Sequence, residues 1–424
     1  MGRMILAVYR TLMLMLLPVI FVRYVLKAGL TPTYRRRLTE RFGVLPNRIP
    51  TGIIWVHAVS VGEVNAAVPM IENLLQTQNR PVLVTCVTPT GSAQIRKSLN
   101  DRVAHVYAPV DAGVIVRTFL RKFKPVMIVI METEMWPNLI HYGTRAGVPV
   151  LFANMRLSDR TFAGAVRLRP FSRYVLNQVS AFCVQTEDDR QRIADIGVPD
   201  SRISVTGNLK FDVTAPPEVL TSGKRIRERL GGDDVRVVIL GSSHDGEELR
   251  FLDVFERVRE KFPMLLGIIV PRHPERFDAV YRIIAQRGLH VVRTSQWSGQ
   301  WPQEADILLV DSMGELMNYY AACDVAVVGG SFVPVGGHNV LEPMMTGTVS
   351  IFGPQMSNFR LIARLVLSAQ AGLQVSGMEE LAESIGKLMG DSDLRQEMVG
   401  RGYQLLAENR GSVTRTCERL LSVL

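Results

Sequence analysis

Acidic side chains that follow apolar runs are the residues of this sequence best placed for proton transfer. Glu63 follows the first such run, and Glu132 and Glu134 follow another together with a Trp and a Pro. A carboxylate at such a position can take a proton from an alcohol, although a first-turn Glu can equally complement a helix dipole. Lys210 closes a later run and would add a cation nearby. Glu63 could therefore assist attack by a hydroxyl group, whereas Lys210 could also be an ordinary surface lysine.

The glycine-rich segment 329–343 could bind an anion. Its glycines permit tight turns and close approach of the backbone to a ligand. Asn339 could cap a helix whose free N–H groups favour phosphate, and Glu342 could accept hydrogen bonds from sugar hydroxyls. Arg272, after a separate apolar run, has the guanidinium geometry that binds phosphate. A nucleotide monophosphate or diphosphate would fit, although the segment could also be a turn required only for packing.

These residues need elements that bring them together, and the chain supplies short apolar runs alternating with helical patterns. This alternation predicts parallel sheets with helices on both faces. Such sheets bind ligands at the carboxyl ends of their strands. The expected strands are residues 53–59, 82–87, 103–107, 126–131, 150–152, 181–184 and 203–205, then 235–240, 265–270, 291–292, 307–310, 325–328 and 349–352.

The 424 residues exceed one ordinary domain, and a polar stretch with two prolines interrupts the alternation. The sequence therefore predicts an anchor and basic segment at 1–50, a first domain at 51–211, a linker at 212–223 and a second domain at 224–424.

The amino-terminal segment predicts contact with a membrane. Residues 4–25 are apolar but include Arg10 and Pro18, which favours a tilted or interfacial helix over a clean span. Residues 1–50 hold nine basic side chains and one acid, and thus carry most of the net charge of +9. This distribution argues against nucleic-acid binding and for an anionic membrane surface with the body in the cytoplasm.

A buried first helix of a soluble protein is the alternative explanation of this segment. On the anchor interpretation, both domain cores begin after the segment and fold without it. Four scattered cysteines and seven histidines without metal-ligand spacing predict neither a metal nor a cofactor.

Several segments together resemble a known family. They are SVGE at 60–63, TPTGS at 88–92, ETEMWPN at 132–138, GNLKFD at 207–212, PRHPERF at 271–277 and GGHN at 336–339. In this order, and with the amino-terminal anchor, they are similar to the bacterial 3-deoxy-D-manno-octulosonic acid (Kdo) transferases of lipid A core assembly. The resemblance covers essentially the whole chain.

The resemblance implies a GT-B fold, in which two Rossmann-like domains face each other across a cleft. It also implies metal-independent, inverting transfer of Kdo from CMP-Kdo to a lipid A precursor (lipid IVA) at the cytoplasmic face of the inner membrane, in lipopolysaccharide biosynthesis. Glu63 matches the family's catalytic base, and Glu132 and Lys210 match residues that stabilise the transition state. The matching CMP contacts are Pro271, Arg272, Met313, Gly314, Glu315, Asn339, Val340, Leu341 and Glu342.

Two other functions stay open at this point. Another membrane-associated GT-B enzyme could use a UDP-sugar, and a membrane-tethered nucleotide sensor could bind without turnover. An acid at the position of Glu63 favours an enzyme, since a sensor has no use for a base there.

Overall fold

The computed structural model describes residues 1–35, 37–46, 49–302 and 304–424. Arg36 and Arg48 of the predicted basic segment therefore lie outside the described residues. The chain forms two compact units, which we call unit 1 (residues 1–213 and 409–424) and unit 2 (residues 214–408).

Unit 1 is built on a seven-stranded parallel sheet in the order β3-β2-β1-β4-β5-β6-β7. Its strands are β1 (Ile54–His57), β2 (Val82–Cys86), β3 (Ala104–Tyr107), β4 (Met127–Met131), β5 (Val150–Met155), β6 (Ala181–Val184) and β7 (Ile203–Val205). Alternate residues enter separate cores on the two faces, as Trp55 and Val56 do. Burial on both faces explains why these strands are continuous apolar runs.

Unit 2 holds a second seven-stranded parallel sheet in the order β10-β11-β9-β8-β12-β13-β14. Its strands are β8 (Arg236–Ser243), β9 (Leu265–Pro271), β10 (Val291–Arg293), β11 (Ile307–Leu309), β12 (Val325–Val328), β13 (Val349–Phe352) and β14 (Gly372–Gln374).

Helices cover both sheets. In chain order they are α1 (Gly2–Leu30), α2 (Pro32–Arg35), α3 (Val61–Thr77), α4 (Pro89–Leu99), α5 (Gly113–Phe123), α6 (Pro137–Arg145), α7 (Asp159–Arg167), α8 (Arg169–Leu176), α9 (Glu187–Ile196), α10 (Pro217–Arg229), α11 (Glu247–Arg259), α12 (Phe277–Gln286), α13 (Leu316–Tyr320), α14 (Leu341–Met345), α15 (Arg360–Ser368), α16 (Met378–Gly390), α17 (Ser392–Asn409) and α18 (Ser412–Leu421).

The strand order places the predicted site residues at the reversal points of the two sheets. In unit 1 the order reverses between β1 and β4, which Glu63 and Glu132 follow in the chain. In unit 2 it reverses between β8 and β12, and the glycine-rich segment follows β12. Such reversal points are the usual ligand sites of doubly wound sheets. The predicted pair of doubly wound α/β domains is confirmed.

The predicted domain boundaries need two corrections. Helix α10 begins at Pro217, inside the predicted linker 212–223. The chain end does not belong to the second domain, because α18 packs with unit 1. The Asp212 carboxylate accepts hydrogen bonds from the N–H groups of Gly411 (2.7 Å) and Val413, and Leu420 lies in the core of unit 1. Asp212 thus fixes the start of α18 on the first unit.

Helix α1 is both apolar and packed, which corrects the expectation that both domain cores begin after it. It is long and apolar enough to cross a membrane. One stripe nevertheless contacts unit 1: Leu6 is 2% exposed in the core, and Tyr9 donates a hydrogen bond to Asp111 (2.9 Å). The opposite face stays exposed, as at Met15 (70%) and Val19 (63%).

The two faces of α1 should respond differently to truncation. We expect Leu6→Ala to lower the free energy of unfolding by about 2–5 kcal/mol because it leaves a cavity in the core. Val8→Ala, on the exposed face at 62%, should change it by less than about 0.5 kcal/mol. Thermal unfolding of both variants in one detergent measures the difference. Equal stability would mean that α1 does not pack on unit 1.

Candidate active site

Glu63 is held at the start of α3 by a local hydrogen-bond arrangement. Ser60 caps the helix, and its hydroxyl accepts the N–H of Glu63 (3.4 Å). The Glu63 carboxylate accepts hydrogen bonds from the Val59 N–H (2.7 Å) and the Ser60 hydroxyl (3.1 Å). This arrangement is close to a capping box, so the motif at 60–63 has a structural role as well.

Electrostatics distinguish Glu63 from an ordinary capping residue. Its side chain is buried, and burial together with the nearby Glu134 and Glu132 raises its pKa to about 8, against the two hydrogen bonds it accepts. A carboxylate that protonates near neutral pH is matched to proton transfer with a hydroxyl group.

Glu132 lies directly after β4 in a left-handed backbone conformation, with φ +50°. This conformation is unfavourable for a non-glycine residue by about 1–3 kcal/mol and persists where the surroundings fix it. The Glu132 N–H donates to the Ala153 carbonyl (2.9 Å), and its carboxylate lies 3.4 Å from Nε of Arg156. Glu132 lies close enough to Glu63 for its charge to contribute to the raised pKa of Glu63.

Lys210 lies near both Glu63 and Glu132. Burial lowers the pKa of its ammonium group, while Glu132 and Glu63 oppose the shift. The structure thus brings Glu63, Glu132 and Lys210 together, as their positions after parallel strands predicted.

Buried amides that the sequence reasoning missed hold the Lys210 turn in place. Asn154 Oδ1 accepts the N–H of Leu209 (3.1 Å), and Asn208 links the Lys210 N–H to Gln185 through two hydrogen bonds of 3.1 Å. Asn154 is fully buried and has φ +55°. The sequence signal was one polar residue, Asn154, just beyond a strand predicted to end at residue 152.

An apolar cavity of about 180 Å³ lies beside the Glu132 segment in unit 1. Thr133 and Met135 lie at one side of it, and its remaining walls come mainly from β5, α7 and α8, including Phe152, Leu168 and Phe171. An apolar cavity of about this size can hold a small hydrocarbon.

In unit 2 the glycine-rich segment is fixed by Glu247, another residue that the sequence reasoning missed. Its buried carboxylate accepts the N–H groups of Gly330 (2.7 Å), Phe332 (3.1 Å) and His244 (2.9 Å). A Cβ at Gly329 would lie 2.5 Å from the Ser242 carbonyl oxygen, so this turn needs glycine.

The predicted helix start after this segment is displaced by one residue. Val340, not Asn339, is the cap of α14, although the Asn339 side chain accepts the Leu341 N–H (3.2 Å). Because α14 has only five residues, its dipole is small. The dipole of α14 therefore contributes little to anion binding at this turn.

Arg272 lies among polar groups at this edge of the sheet. It follows β9. Burial raises the pKa of the nearby Glu342 carboxyl, against the opposing effects of Asn339 and of the Arg272 charge. His244 and His338 approach within 2.9 Å through their Nε2 atoms, and burial, His244 and Arg272 lower the pKa of His338 to about 4. A neutral imidazole can donate a hydrogen bond to a ligand or accept one from it.

The remaining residues that were predicted to contact CMP lie at the carboxyl ends of the strands of unit 2. Pro271 ends β9, and residues 312–315 follow β11 as a turn in which Gly314 has φ +93°. The Ser312 hydroxyl donates to the Glu315 carboxylate, and Met313 is half exposed. Across the described residues, no three His, Cys, Asp or Glu side chains form a group that could hold a metal ion.

Comparison with known proteins identifies the family. Residues 36–213 match the profile of the 3-deoxy-D-manno-octulosonic-acid transferase (kdotransferase) family. The chain is 35% identical over 98% of its length to the 3-deoxy-D-manno-octulosonic acid transferase of Haemophilus influenzae, covering 97% of that protein. This chain belongs to the Kdo transferase family.

A second Kdo transferase, from Bordetella pertussis, is 33% identical over 90% of each chain. UDP-GlcNAc 2-epimerase from Neisseria meningitidis has the same fold, with a TM-score of 0.59 at 13% identity, covering 87% of this chain and all of the epimerase. The predicted Kdo transferase family and GT-B fold are confirmed, so the protein is a glycosyltransferase that transfers Kdo.

Proposed function

We propose that this Kdo transferase moves Kdo from CMP-Kdo to a lipid A precursor such as lipid IVA, with Glu63 as the general base. The observation that carries the proposal is the buried Glu63 carboxylate, whose pKa is raised to about 8, beside Glu132 and Lys210. This environment suits a base that receives a proton from a sugar hydroxyl.

In the proposed step, the acceptor hydroxyl oxygen forms a bond to the anomeric carbon of Kdo while the bond from that carbon to the CMP phosphate oxygen breaks. The hydroxyl proton passes to Glu63, and CMP leaves with the electron pair. Attack opposite the leaving group inverts the anomeric centre. Glu132 and Lys210 are proposed to stabilise the transition state at the anomeric centre. Arg272 is proposed to balance the charge of the departing CMP phosphate, so the proposed step uses no metal.

The CMP-binding residues are proposed in unit 2. Arg272 balances the phosphate charge, and Glu342 accepts hydrogen bonds from the ribose hydroxyls. Pro271, the turn of Met313, Gly314 and Glu315, and the segment of Asn339, Val340 and Leu341 complete the proposed nucleotide contacts.

Three features of unit 1 support a lipid acceptor at the cytoplasmic side of the inner membrane. The apolar cavity beside Thr133 can take a short segment of an acyl chain. The exposed face of α1 provides apolar side chains for burial in a bilayer. The basic residues of the first fifty favour the cytoplasmic side.

Product analysis tests the proposed function. We expect purified protein, incubated with CMP-Kdo and lipid IVA, to yield a product heavier by one or more Kdo residues in mass spectrometry. Turnover of UDP-sugars with none of CMP-Kdo would contradict the donor. Transfer to water-soluble sugars but not to lipid IVA would contradict the acceptor.

A further inference from the structure

A groove of about 640 Å³ in unit 1 is lined by four arginines. Arg10 comes from α1, Arg117 and Arg121 from α5, and Arg145 from α6; Tyr142 of α6 lies between them. The other lining residues, Val114, Leu120 and Ala146, carry no charge. The groove therefore concentrates positive charge.

Tyr142 holds two of these guanidinium groups in place. Arg10 donates a hydrogen bond to the Tyr142 hydroxyl, and its Cζ lies 5.0 Å from the ring centre. The Cζ of Arg117 lies 5.3 Å from the same ring, and its Nε donates to the Gly113 carbonyl (3.2 Å). Contacts with an aromatic ring orient guanidinium groups without neutralising them.

The charges of the groove are not compensated within the described part of the chain. No ion pair found there includes any of the four arginines, whereas Arg190, Arg276 and Arg287 each pair with two acids. The Nε–H of Arg10 is buried and has no acceptor among those residues. Arg121 and Arg145 lie in the last turns of α5 and α6, where the negative end of each helix dipole favours a positive charge. The dipoles of α5 and α6 do not explain the positions of Arg10 and Arg117.

The location of the groove favours a membrane lipid as the source of the missing anion. Arg10 belongs to the apolar helix α1, and its neighbours Val8, Leu12 and Leu14 are exposed. The groove lies on the outer helices and includes the final turns of α5 and α6, so it is separate from the strand ends that carry Glu63 and Glu132.

We propose that this groove binds the phosphate of an anionic phospholipid headgroup. Guanidinium groups from three helices surround one phosphate and donate paired hydrogen bonds to its oxygens. Bound lipid then holds α1 in the headgroup region, next to its apolar face. The inference rests on the proposed membrane association and is independent of the transfer chemistry.

Vesicle flotation of the full chain tests this site. We expect wild type to prefer vesicles of phosphatidylcholine with phosphatidylglycerol over phosphatidylcholine alone. Arg117→Ala/Arg121→Ala/Arg145→Ala should lower affinity for the anionic vesicles by on the order of 100-fold, with little change on phosphatidylcholine. All three arginines are exposed, so the variant should fold.

Two further variants distinguish a specific phosphate-binding site from nonspecific electrostatic attraction to the vesicle surface. The triple Arg→Lys variant keeps the charge but loses the planar fork, and we expect it to lose about tenfold or more of the preference. Arg225→Ala/Arg250→Ala/Arg257→Ala removes the same charge from exposed positions on α10 and α11 of unit 2, and should keep the preference. Full retention by the triple Lys variant would overturn the site.

Inorganic phosphate distinguishes a lipid from a soluble ligand. At equal ionic strength, phosphate should release wild type from anionic vesicles no better than chloride does. Selective release by phosphate would assign the groove to free phosphate and overturn the lipid proposal.

Kdo transfer to detergent-dispersed acceptor, measured in parallel, reports the proposed function separately. Normal transfer by the Ala variant with an unchanged lipid preference would therefore refute the groove alone.

Discussion

Glu63→Gln should lower kcat for Kdo transfer by roughly 100- to 10,000-fold, the usual contribution of a general base. The substitution removes the proton acceptor but keeps the size of the side chain and an oxygen for the Val59 N–H. CMP affinity, measured by calorimetry, should stay within a few-fold of wild type. Transfer above about a tenth of wild type would instead assign Glu63 to capping α3.

The pH dependence gives this prediction a second measurement. A base must be deprotonated to act, and the pKa of Glu63 is raised to about 8 by burial and by its acidic neighbours. The wild-type kcat/KM should therefore rise with pH and level off above about 8. Glu134→Gln is the matched control: it removes one charge that raises this pKa, so the rise should move to lower pH.

Stability provides an independent test of the same carboxylate. Between pH 4.5 and about 8, folded Glu63 retains a proton that the unfolded chain has released, so the free energy of unfolding falls as pH rises. Glu63→Gln removes this penalty and should be more stable than wild type above pH 8, with similar stability below pH 4.5. A capping role would make the variant less stable at high pH.

Arg272→Ala and Glu342→Ala should each weaken CMP binding by about 1.5–3 kcal/mol, or roughly 10- to 150-fold. Arg272 is expected to act on the phosphate and Glu342 on the ribose. Calorimetry with cytidine separates the two roles, because cytidine lacks the phosphate. Arg272→Ala should bind cytidine as wild type does, whereas Glu342→Ala should lose affinity for both ligands.

Arg282→Ala is the control for this pair, since Arg282 is exposed on α12. Its CMP affinity should match wild type. Unchanged CMP affinity in both Arg272→Ala and Glu342→Ala would place the nucleotide site elsewhere.

The sequence determined the two sheets because a parallel strand buried on both faces is itself an apolar run. Residues 181–184, 325–328 and 349–352 are strands with the predicted bounds. Strand β14 at Gly372–Gln374 was missed because its sequence, Gly-Leu-Gln, holds only one large apolar residue and so forms no apolar run. Placement of Glu63, Glu132 and Lys210 near one another also followed from sequence, because parallel strands present their carboxyl ends at one edge.

Contacts between residues far apart in the chain could be found only from the tertiary structure. Asp212 anchors α18 near residue 411, Glu247 holds the glycine-rich segment near residue 330, and Tyr142 orients Arg10 and Arg117. Periodicity reports which face of an element is buried, but not which element covers it. The raised pKa of Glu63 has the same origin, because it depends on burial and on charges about seventy residues away. The sequence therefore identified the acids, whereas the folded chain set the pKa of Glu63.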